Sequence, residues 1–256
     1  MMAVESMGRR FPEDQALEKL SRIADTHPDQ DTRRMAVESI GRVDSPRAHE
    51  LLSKIVMDGR DVEASRQAVE SLGRRDEPGV DAELQNIIRS KAPEDVRRQA
   101  VESLGRRDGA EVVNQLVEIA RTNPSLEVRR QAVESLGRRD EPPVTELLMR
   151  LANENVPEEV QRQAVESLGR RDDARARTML LELARKHSNV DVQRQAVESL
   201  GRLDEDAGGD VMADLASIAR SHPSSEVRRQ AVESMTRRDP DKALPLLEEI
   251  LRKQQK

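Results

Sequence analysis

Apolar residues recur at helical spacing in two consecutive segments of residues 125–155. In the first segment, residues 126–139, one helical flank carries Val128, Ala132, Ser135 and Leu136, with Val133 at its edge. In the second, residues 144–153, the stripe at i, i+3, i+4, i+7 and i+8 consists of Val144, Leu147, Leu148, Leu151 and Ala152. The four residues between, Asp-Glu-Pro-Pro, form a turn, because proline ends one helix and opens the next. The pattern predicts a hairpin of two helices, A and B.

This hairpin recurs along the whole chain at a nearly fixed period. The core sequence Ala-Val-Glu-Ser begins at Ala3, Ala36, Ala68, Ala100, Ala132, Ala164, Ala196 and Ala231, with separations of 33, then 32 five times, then 35 residues. A fixed period in this range is typical of a stacked repeat array, in which each unit buries its apolar stripe against its neighbours. We predict a single array over residues 1–256, with units 1–30, 31–61, 62–93, 94–124, 125–156, 157–188, 189–223 and 224–256.

Three units depart from the pattern. The first lacks the opening turn of helix A, since Met2 stands where the second unit has Met35, and it is either a fragment boundary or a shortened cap. The seventh contains extra residues within 204–210, which we interpret as a longer acidic turn because the full alternating ligand pattern of a calcium loop is missing. The last unit replaces the recurrent glycine with Thr236.

The amino-acid composition excludes several classes of function. The chain has no cysteine, one aromatic residue (Phe11) and a net charge of −6 at a pI near 5.5. Disulfides and thiolate chemistry are therefore excluded, and a nucleic-acid binder would be expected to show a basic domain or aromatic stacking platforms. No apolar run reaches the length of a membrane span, and the N-terminus has no apolar signal core. We expect a soluble, cytoplasmic protein.

The repeated sequence resembles a known family. Val-Arg-Arg-Gln-Ala-Val-Glu-Ser-Leu-Gly, followed by Asp and an apolar helix B, is similar to HEAT-like repeats of the phycobilisome-lyase type. The resemblance implies an all-α, right-handed superhelix with helices A on its convex side and helices B on its concave side. Members act mostly as protein-binding scaffolds, while some handle bilins or DNA and one branch is a di-iron hydroxylase. That branch needs several His-Glu pairs, whereas this chain has one, His49-Glu50.

One position departs from the family. The residue directly after the first valine of the motif is usually Arg in the family, but here it varies: Arg33, Ser65, Arg97, Arg129, Gln161, Gln193 and Arg228. The next residue is always Arg. This variation puts the inter-repeat polar ladder that the family implies in question at this position.

Charged residues form two recurrent sets. Arg130, Glu134 and Arg138 are spaced four residues apart, so the Glu can pair with an Arg on either side. Such a row is either a basic surface for phosphate or an acidic partner, or a self-neutralising face that keeps the array soluble, and we favour the second. Residues 128–139 carry four Arg and one Glu (+3), while residues 140–159 carry six carboxylates and one Arg (−5), which disfavours DNA along the helix B side.

Two further sets have simple structural interpretations. A column near the end of helix B contains Arg89, Arg121, Arg185, Arg220 and Arg252. It is either a phosphate-binding stripe or, as we favour, a set of cations placed favourably at helix C-termini. His27 and His222 each precede a proline in equivalent loops, which indicates a turn preference rather than a metal site. We predict no catalytic residue, metal site or cofactor, since no nucleophile, base and orienting group converge.

Helix B differs most between units, and a specific ligand would be recognised there. Two places before the aligned Ile or Leu of each helix B, the central units carry Val117, Met149 and Leu181, whereas the units at both ends are mostly polar. The neighbouring columns contribute Glu118, Arg150 and Glu182, then Arg121, Asn153 and Arg185. The apolar column is either an anchor for a partner segment or part of the packing between repeats, and both interpretations stay open.

The sequence therefore predicts a non-enzymatic scaffold that binds a protein or peptide through its concave helix B surface. The alternatives are a structural element that associates end to end through the truncated first repeat and, less favoured, a nucleic-acid-binding solenoid using the Arg rows. No membrane partner is expected.

Overall fold

The computed structural model describes residues 12–171, 173–204 and 209–254. Within these ranges the chain forms fifteen α-helices and no strand, which confirms the all-α prediction. The B helices are α1 (Glu13–Thr26), α3 (Pro46–Asp58), α5 (Val80–Arg89), α7 (Ala110–Thr122), α9 (Pro142–Asn153), α11 (Ala174–Lys186), α13 (Val211–Ser221) and α15 (Pro240–Gln254). The A helices are α2 (Gln30–Gly41), α4 (Val62–Gly73), α6 (Glu94–Gly105), α8 (Leu126–Gly137), α10 (Glu158–Leu168), α12 (Val190–Leu200) and α14 (Ser225–Arg238).

The helices divide between two compact units. The first comprises residues 1–116 and 123–132, and the second comprises residues 117–122 and 133–256. In the first unit the B helices α1, α3 and α5 each pack against the A helix that follows, and in the second unit α9, α11 and α13 do the same. Consecutive A helices also contact each other, in the order α2, α4, α6 and in the order α10, α12, α14. None of the helices in the described residues is both long enough and apolar enough to cross a membrane.

Short polar side chains and prolines set the helix starts. Asp61 accepts hydrogen bonds from the backbone N–H groups of residues 63 and 64, and Ser45 accepts one from residue 48. These caps satisfy donors that the first helical turn leaves without partners. Pro46 and Pro142 occupy first-turn positions, where a missing N–H costs nothing. Helix α9 accordingly begins two residues earlier than predicted, at Pro142.

The apolar stripes form the core as predicted. Val128, Ala132 and Leu136 of α8 are fully buried, as are Leu148 and Leu151 of α9. Helix α8 ends at Gly137 rather than at residue 139. The core therefore lies between each B helix and its A helix, as expected where a unit buries its stripe against its neighbours.

The recurrent glycine marks the closest approach of neighbouring A helices. A Cβ built on Gly73 would lie 2.5 Å from the Cβ of Ser103 in the next A helix. One on Gly137 would lie 2.5 Å from the Oγ of Ser167. The same glycine–serine contact joins Gly41 to Ser71, Gly169 to Ser199 and Gly201 to Ser234. Thr236 stands at this position in α14, where its side chain is exposed.

Two sequence predictions fall on parts of the chain that the structure does not describe. The truncated first helix A lies within residues 1–11, and most of the longer acidic turn lies within residues 205–208. Self-association through the first repeat and the conformation of that turn therefore lie outside the described residues.

Candidate functional site

The exposed Arg and Glu side chains of the A helices pair with each other. Arg138 contacts Glu134 at 2.6 Å. The equivalent pair recurs at 2.6–2.8 Å in five other motifs, as Arg42–Glu38, Arg74–Glu70, Arg106–Glu102, Arg170–Glu166 and Arg202–Glu198. Arg130 pairs instead with Glu127, one turn earlier, at 3.2 Å. Glu134 therefore pairs with the Arg that follows it, whereas in the last motif Glu233 lies 3.6 Å from the Arg that precedes it, Arg229.

These pairs also connect neighbouring repeats. In the first unit, Arg106 lies 2.6 Å from Glu102 and 3.8 Å from Glu70 of the preceding A helix. In the second unit, Arg202 spans Glu198 at 2.6 Å and Glu166 at 4.0 Å. The A-helix surface is thus a ladder of alternating charges rather than a basic face, and each exposed pair contributes at most about 1 kcal/mol.

The second Arg of the Gly-Arg-Arg sequence has a different role, which the sequence did not reveal. Arg171 donates a hydrogen bond of 2.6 Å to the carbonyl of residue 139 and one of 2.7 Å to the Thr145 hydroxyl, both in the preceding repeat. In the first unit Arg75 donates to the carbonyl of Val43 at 2.6 Å, and its side chain is 6% exposed. Because a buried carbonyl needs a donor, each of these guanidinium groups ties one repeat to the one before.

The variable position after the motif valine braces the loop between helices B and A. Arg228 donates to the carbonyl of His222 at 2.7 Å, six residues earlier. Gln161 donates to the carbonyl of Glu154 at 2.8 Å, and Gln193 to that of His187 at 2.7 Å. Arg and Gln both carry a side-chain N–H that reaches this carbonyl, which explains why they alternate. At Arg33 this position also carries an inter-repeat contact, since its Nε lies 2.7 Å from Asp61 at the start of the next A helix. The first Arg of Gly-Arg-Arg forms further contacts between repeats.

The nine predicted partner-binding residues lie together in the second unit, on α7, α9 and α11. We call them the helix B surface. Val117 is 5% exposed, whereas Met149 and Leu181 are half-buried. The remaining six are exposed: Glu118, Arg150, Glu182, Arg121, Asn153 and Arg185. Two side chains of the apolar column are therefore partly accessible, and exposed charged residues adjoin them in the sequence.

Most charges of the helix B surface already have partners. Arg121 binds both carboxylate oxygens of Glu154 in the loop after α9, with Nε 2.7 Å from Oε2. These side-chain hydrogen bonds raise the pKa of Arg121 above its usual value. Arg150 pairs with Glu146 at 3.2 Å, and Glu182 with Lys186 at 3.3 Å. Arg121 lies in the last turn of α7, as the helix-dipole interpretation expects, and it also pairs with a carboxylate at the end of the next helix B.

An amide group lies at the apolar part of this surface. The Asn153 amide donates to the carbonyl of Met149 at 3.2 Å and contacts the Met179 sulfur of the next helix B at 3.5 Å. A side-chain amide beside flexible thioethers suits an adaptable contact with a polypeptide, because methionine repacks readily and the amide both donates and accepts.

The histidines of the described residues have structural contacts. The Nδ1 atom of His222 accepts from the N–H of Ser224 at 3.1 Å, and that of His27 from the N–H of Asp29 at 3.2 Å, consistent with a turn preference. His49 lies with its ring nitrogens 2.6 Å from Glu77 and 2.9 Å from Glu83. No group of three or more side chains suited to a metal ion occurs in the part of the chain that the structure describes.

Comparisons with known proteins identify the family to which these repeats belong. A family model described as HEAT repeats matches residues 1–73, 82–169, 155–218 and 178–256. A comparison with curated proteins found no match to this sequence.

Three solved structures illustrate the fold similarity. A structure of Kap95p bound to RanGDP matches with a TM-score of 0.51 and 13% identity, covering 91% of this chain and 40% of that one. The S. pombe condensin Cnd3-Cnd2 subcomplex matches with a TM-score of 0.50 and 16% identity, covering 89% and 33%. The complex of CpcE and CpcF of phycocyanin lyase from Nostoc sp. PCC7120 gives 0.37 and 17%, covering 93% and 88%. This chain spans less than half of the first two chains, and at these identities the likeness concerns the fold.

Proposed function

The chain belongs to the HEAT repeat family, and from that premise we propose that it is a non-enzymatic scaffold that binds a protein or peptide segment along the helix B surface. The observation that carries this proposal is the column of Val117, Met149 and Leu181, which runs across three consecutive B helices of one unit beside exposed charged groups. The printed descriptions of Kap95p with RanGDP and of the Cnd3-Cnd2 subcomplex also refer to protein assemblies.

The accessible apolar side chains would supply the affinity. Met149 and Leu181 occupy equivalent positions on adjacent B helices and are each only partly covered. A partner side chain that covers both would complete their burial, and such buried anchors commonly dominate protein interfaces. Val117 is nearly buried already, so it would contribute to the packing beneath the surface rather than contact the partner.

The charged groups beside the column would set specificity. Along α7, α9 and α11 the exposed column adjoining the apolar one reads Glu118, Arg150, Glu182, so its sign alternates from repeat to repeat. A peptide lying across the three helices would meet these charges in order. Complementary charges favour one register and direction, and mismatched charges disfavour the others.

The A-helix surface offers less for recognition. Its guanidinium groups face carboxylates within their own repeat and the preceding one, as Arg202 does with Glu198 and Glu166. A polyanion would have to displace these carboxylates, and the net charge of −6 would oppose its approach. We therefore propose a protein or peptide rather than a nucleic acid as the partner.

The test uses a displayed library of random peptides selected on the whole chain. The double variant Met149→Glu/Leu181→Glu should bind the recovered peptides at least about tenfold more weakly, since about 1.4 kcal/mol of anchor burial corresponds to a factor of ten. Val117 stays unchanged, because a carboxylate at a buried position would disturb folding.

Two matched controls distinguish binding at the helix B surface from nonspecific peptide binding. Gln85→Glu alters the equivalent position on α5 of the first unit, and Met57→Glu removes an apolar side chain that is 87% exposed. Both controls should bind as the unaltered chain does, and circular dichroism should show unchanged helicity throughout. Peptide affinity that survives the double variant, or a selection that enriches no peptide, would refute the proposal.

A further inference from the structure

Two charged side chains of the helix B surface are exposed and unpaired. Glu118 on α7 and Arg185 on α11 form no ion pair and no side-chain hydrogen bond with any residue that the structure describes. Residues 117–122 of α7 belong to the second unit, as α11 does, so both charges lie in one compact unit. Each can therefore pair with an opposite charge of a ligand without first giving up a partner.

The other charges of the surface are already neutralised. Glu182 pairs with Lys186 on its own helix at 3.3 Å, and Arg150 pairs with Glu146 at 3.2 Å. Arg121 also has a carboxylate partner, as described above. A ligand gains less from these three groups, because a new ion pair with any of them replaces one that already exists.

The two unpaired charges stand at opposite sides of the surface. The end of α7 lies beside the end of α9, since the Nε atom of Arg121 is 2.7 Å from the Glu154 carboxylate. Helix α9 lies beside α11, since the amide nitrogen of Asn153 is 3.5 Å from the Met179 sulfur. Packed helices have axes about 8–10 Å apart, so α7 and α11 are separated by about 16–20 Å. The half-buried Met149 lies between them, on α9.

Asn153 offers a hydrogen-bond acceptor between the two charges. Its Nδ2 atom donates to the carbonyl of Met149 at 3.2 Å, whereas its Oδ1 atom accepts no hydrogen bond from the described residues. The backbone N–H groups of an extended segment need partners outside the segment, while a helix satisfies most of its own. An exposed acceptor beside a half-buried apolar side chain therefore favours an extended ligand over a helical one.

We propose that the helix B surface binds an extended segment with a basic side chain at one end, apolar side chains in the middle and a carboxylate at the other end. The basic side chain pairs with Glu118, the apolar side chains cover Met149 and Leu181, and the carboxylate pairs with Arg185. An extended chain advances about 3.3–3.6 Å per residue, so a span of about 16–20 Å places the two charges about five or six residues apart. This inference rests on the proposed function, because it specifies the ligand of the same surface.

The peptides selected on the whole chain provide the test. Only peptides that no longer bind the Met149→Glu/Leu181→Glu double variant are retained, so that the helix B surface is first shown to be their site. These peptides should carry Lys or Arg and Asp or Glu about five or six residues apart, with apolar side chains between them. Retained peptides without such a pair of charges would overturn the inference.

Neutralising one charge at a time measures each contact. Glu118→Gln and Arg185→Gln should each weaken the retained peptides by about two- to fivefold, and by less at high salt. The same substitutions at exposed charges of B helices in the first unit, Glu50→Gln and Arg89→Gln, should leave the affinity unchanged. Glu182→Gln should have a smaller effect than Glu118→Gln, because Glu182 is already paired. Equal effects of these two variants would overturn the inference.

Charge reversal tests which end of the peptide meets which helix. Glu118→Lys should weaken the retained peptides by at least about tenfold, and replacing the basic residue of the peptide with Glu should restore its binding to this variant. Binding to Arg185→Glu should instead be restored by Lys in place of the peptide's acidic residue. Both altered residues are exposed, so circular dichroism should show unchanged helicity. Absence of rescue, or rescue of both variants by the same peptide, would overturn the inference.

The outcomes distinguish this inference from the proposed function. Peptide affinity that survives Met149→Glu/Leu181→Glu refutes both. Affinity that is lost in that double variant but does not respond to the substitutions of Glu118 and Arg185 overturns only the inference, and the helix B surface then remains the binding site for a ligand of different charge.

Discussion

Replacing Gly137 with alanine tests the close approach of neighbouring A helices. Gly137 lies within α8 in helical conformation, so no left-handed backbone angle requires glycine there. A Cβ at this position would lie 2.5 Å from the Oγ and 2.7 Å from the Cβ of Ser167, whereas its distance to the Ser167 Cα, 3.6 Å, is ordinary. The conflict therefore concerns one side chain of the next repeat.

Two opposing effects determine how much Gly137→Ala changes the free energy of unfolding. Alanine is favoured over glycine within a helix by about 1 kcal/mol, and by less at the last residue of α8. The contact falls about 1 Å short of the 3.5–4.0 Å optimum for carbon atoms, and overpacking of this kind costs about 1–3 kcal/mol. We expect a net loss of about 1–2 kcal/mol, or a melting temperature lower by roughly 2–8 °C for a chain of this size.

The assay is a double-mutant cycle measured by urea and thermal unfolding. Ser167→Gly removes both close atoms, so Gly137→Ala should cost less in its presence, with a coupling of about 1 kcal/mol or more. The matched control is Thr236→Ala, at the equivalent position of α14, where the side chain is exposed, and this substitution should be neutral or slightly stabilising. The reasoning is wrong if Gly137→Ala behaves like Thr236→Ala or if the two substitutions at the contact are additive.

Three other predictions follow from the contacts described above. Arg171→Ala should destabilise the chain by about 1–3 kcal/mol, because it leaves a buried carbonyl and the Thr145 hydroxyl without their donor. Arg170→Ala removes only an exposed ion pair and should cost less than about 0.5 kcal/mol. Equal melting temperatures for the two variants would contradict this difference. Gln161→Arg should be tolerated, whereas Gln161→Ala should cost about 1 kcal/mol, because only arginine keeps a donor for the loop carbonyl. Urea unfolding distinguishes the two variants. A destabilised Arg variant would refute the idea that Arg and Gln serve the same role at this position. Hydrogen bonds from Arg175 lower the pKa of Asp173 to about 2. The ionised Asp173 therefore stabilises the folded chain by on the order of 1–2 kcal/mol, an effect that is complete above about pH 4 and is lost as the pH falls towards 2. Asp173→Asn should remove this part of the pH dependence, and parallel stability curves for the two proteins between pH 2 and 5 would show the assignment to be wrong.

Most of the fold could be predicted because its signals are local. The stripe of Val128, Ala132 and Leu136 predicts both a helix and its buried side, since the backbone hydrogen bonds and the 3.6-residue period need no distant partner. The period of 32 residues then predicts that each hairpin stacks on a copy of itself. The family resemblance agreed with both predictions and is confirmed by the match to HEAT repeats.

The candidate site was predictable only in part. The alignment of the B helices assigns the nine residues to equivalent positions on three consecutive B helices, and their role in binding stays a prediction. It could not reveal that Val117 is nearly buried while Leu181 is partly accessible, because the two residues occupy equivalent positions in the alignment. It also could not reveal that Arg121 is held by Glu154, thirty-three residues away.

By itself, the sequence determined the helices, their buried stripes and their repetition, because these depend on interactions within a few residues along the chain. Only the tertiary structure decided what the polar members of the motif do. Arg170 and Arg171 are chemically identical neighbours, yet one faces solvent beside Glu166 and the other reaches a carbonyl of the preceding repeat. Gly137 lies against Ser167 of the next A helix, thirty residues away, which its own helix does not reveal. The physical reason is the same in both cases: a side chain's role depends on which atoms of another repeat lie within about 3 Å of it, and stacking, not local sequence, sets that distance.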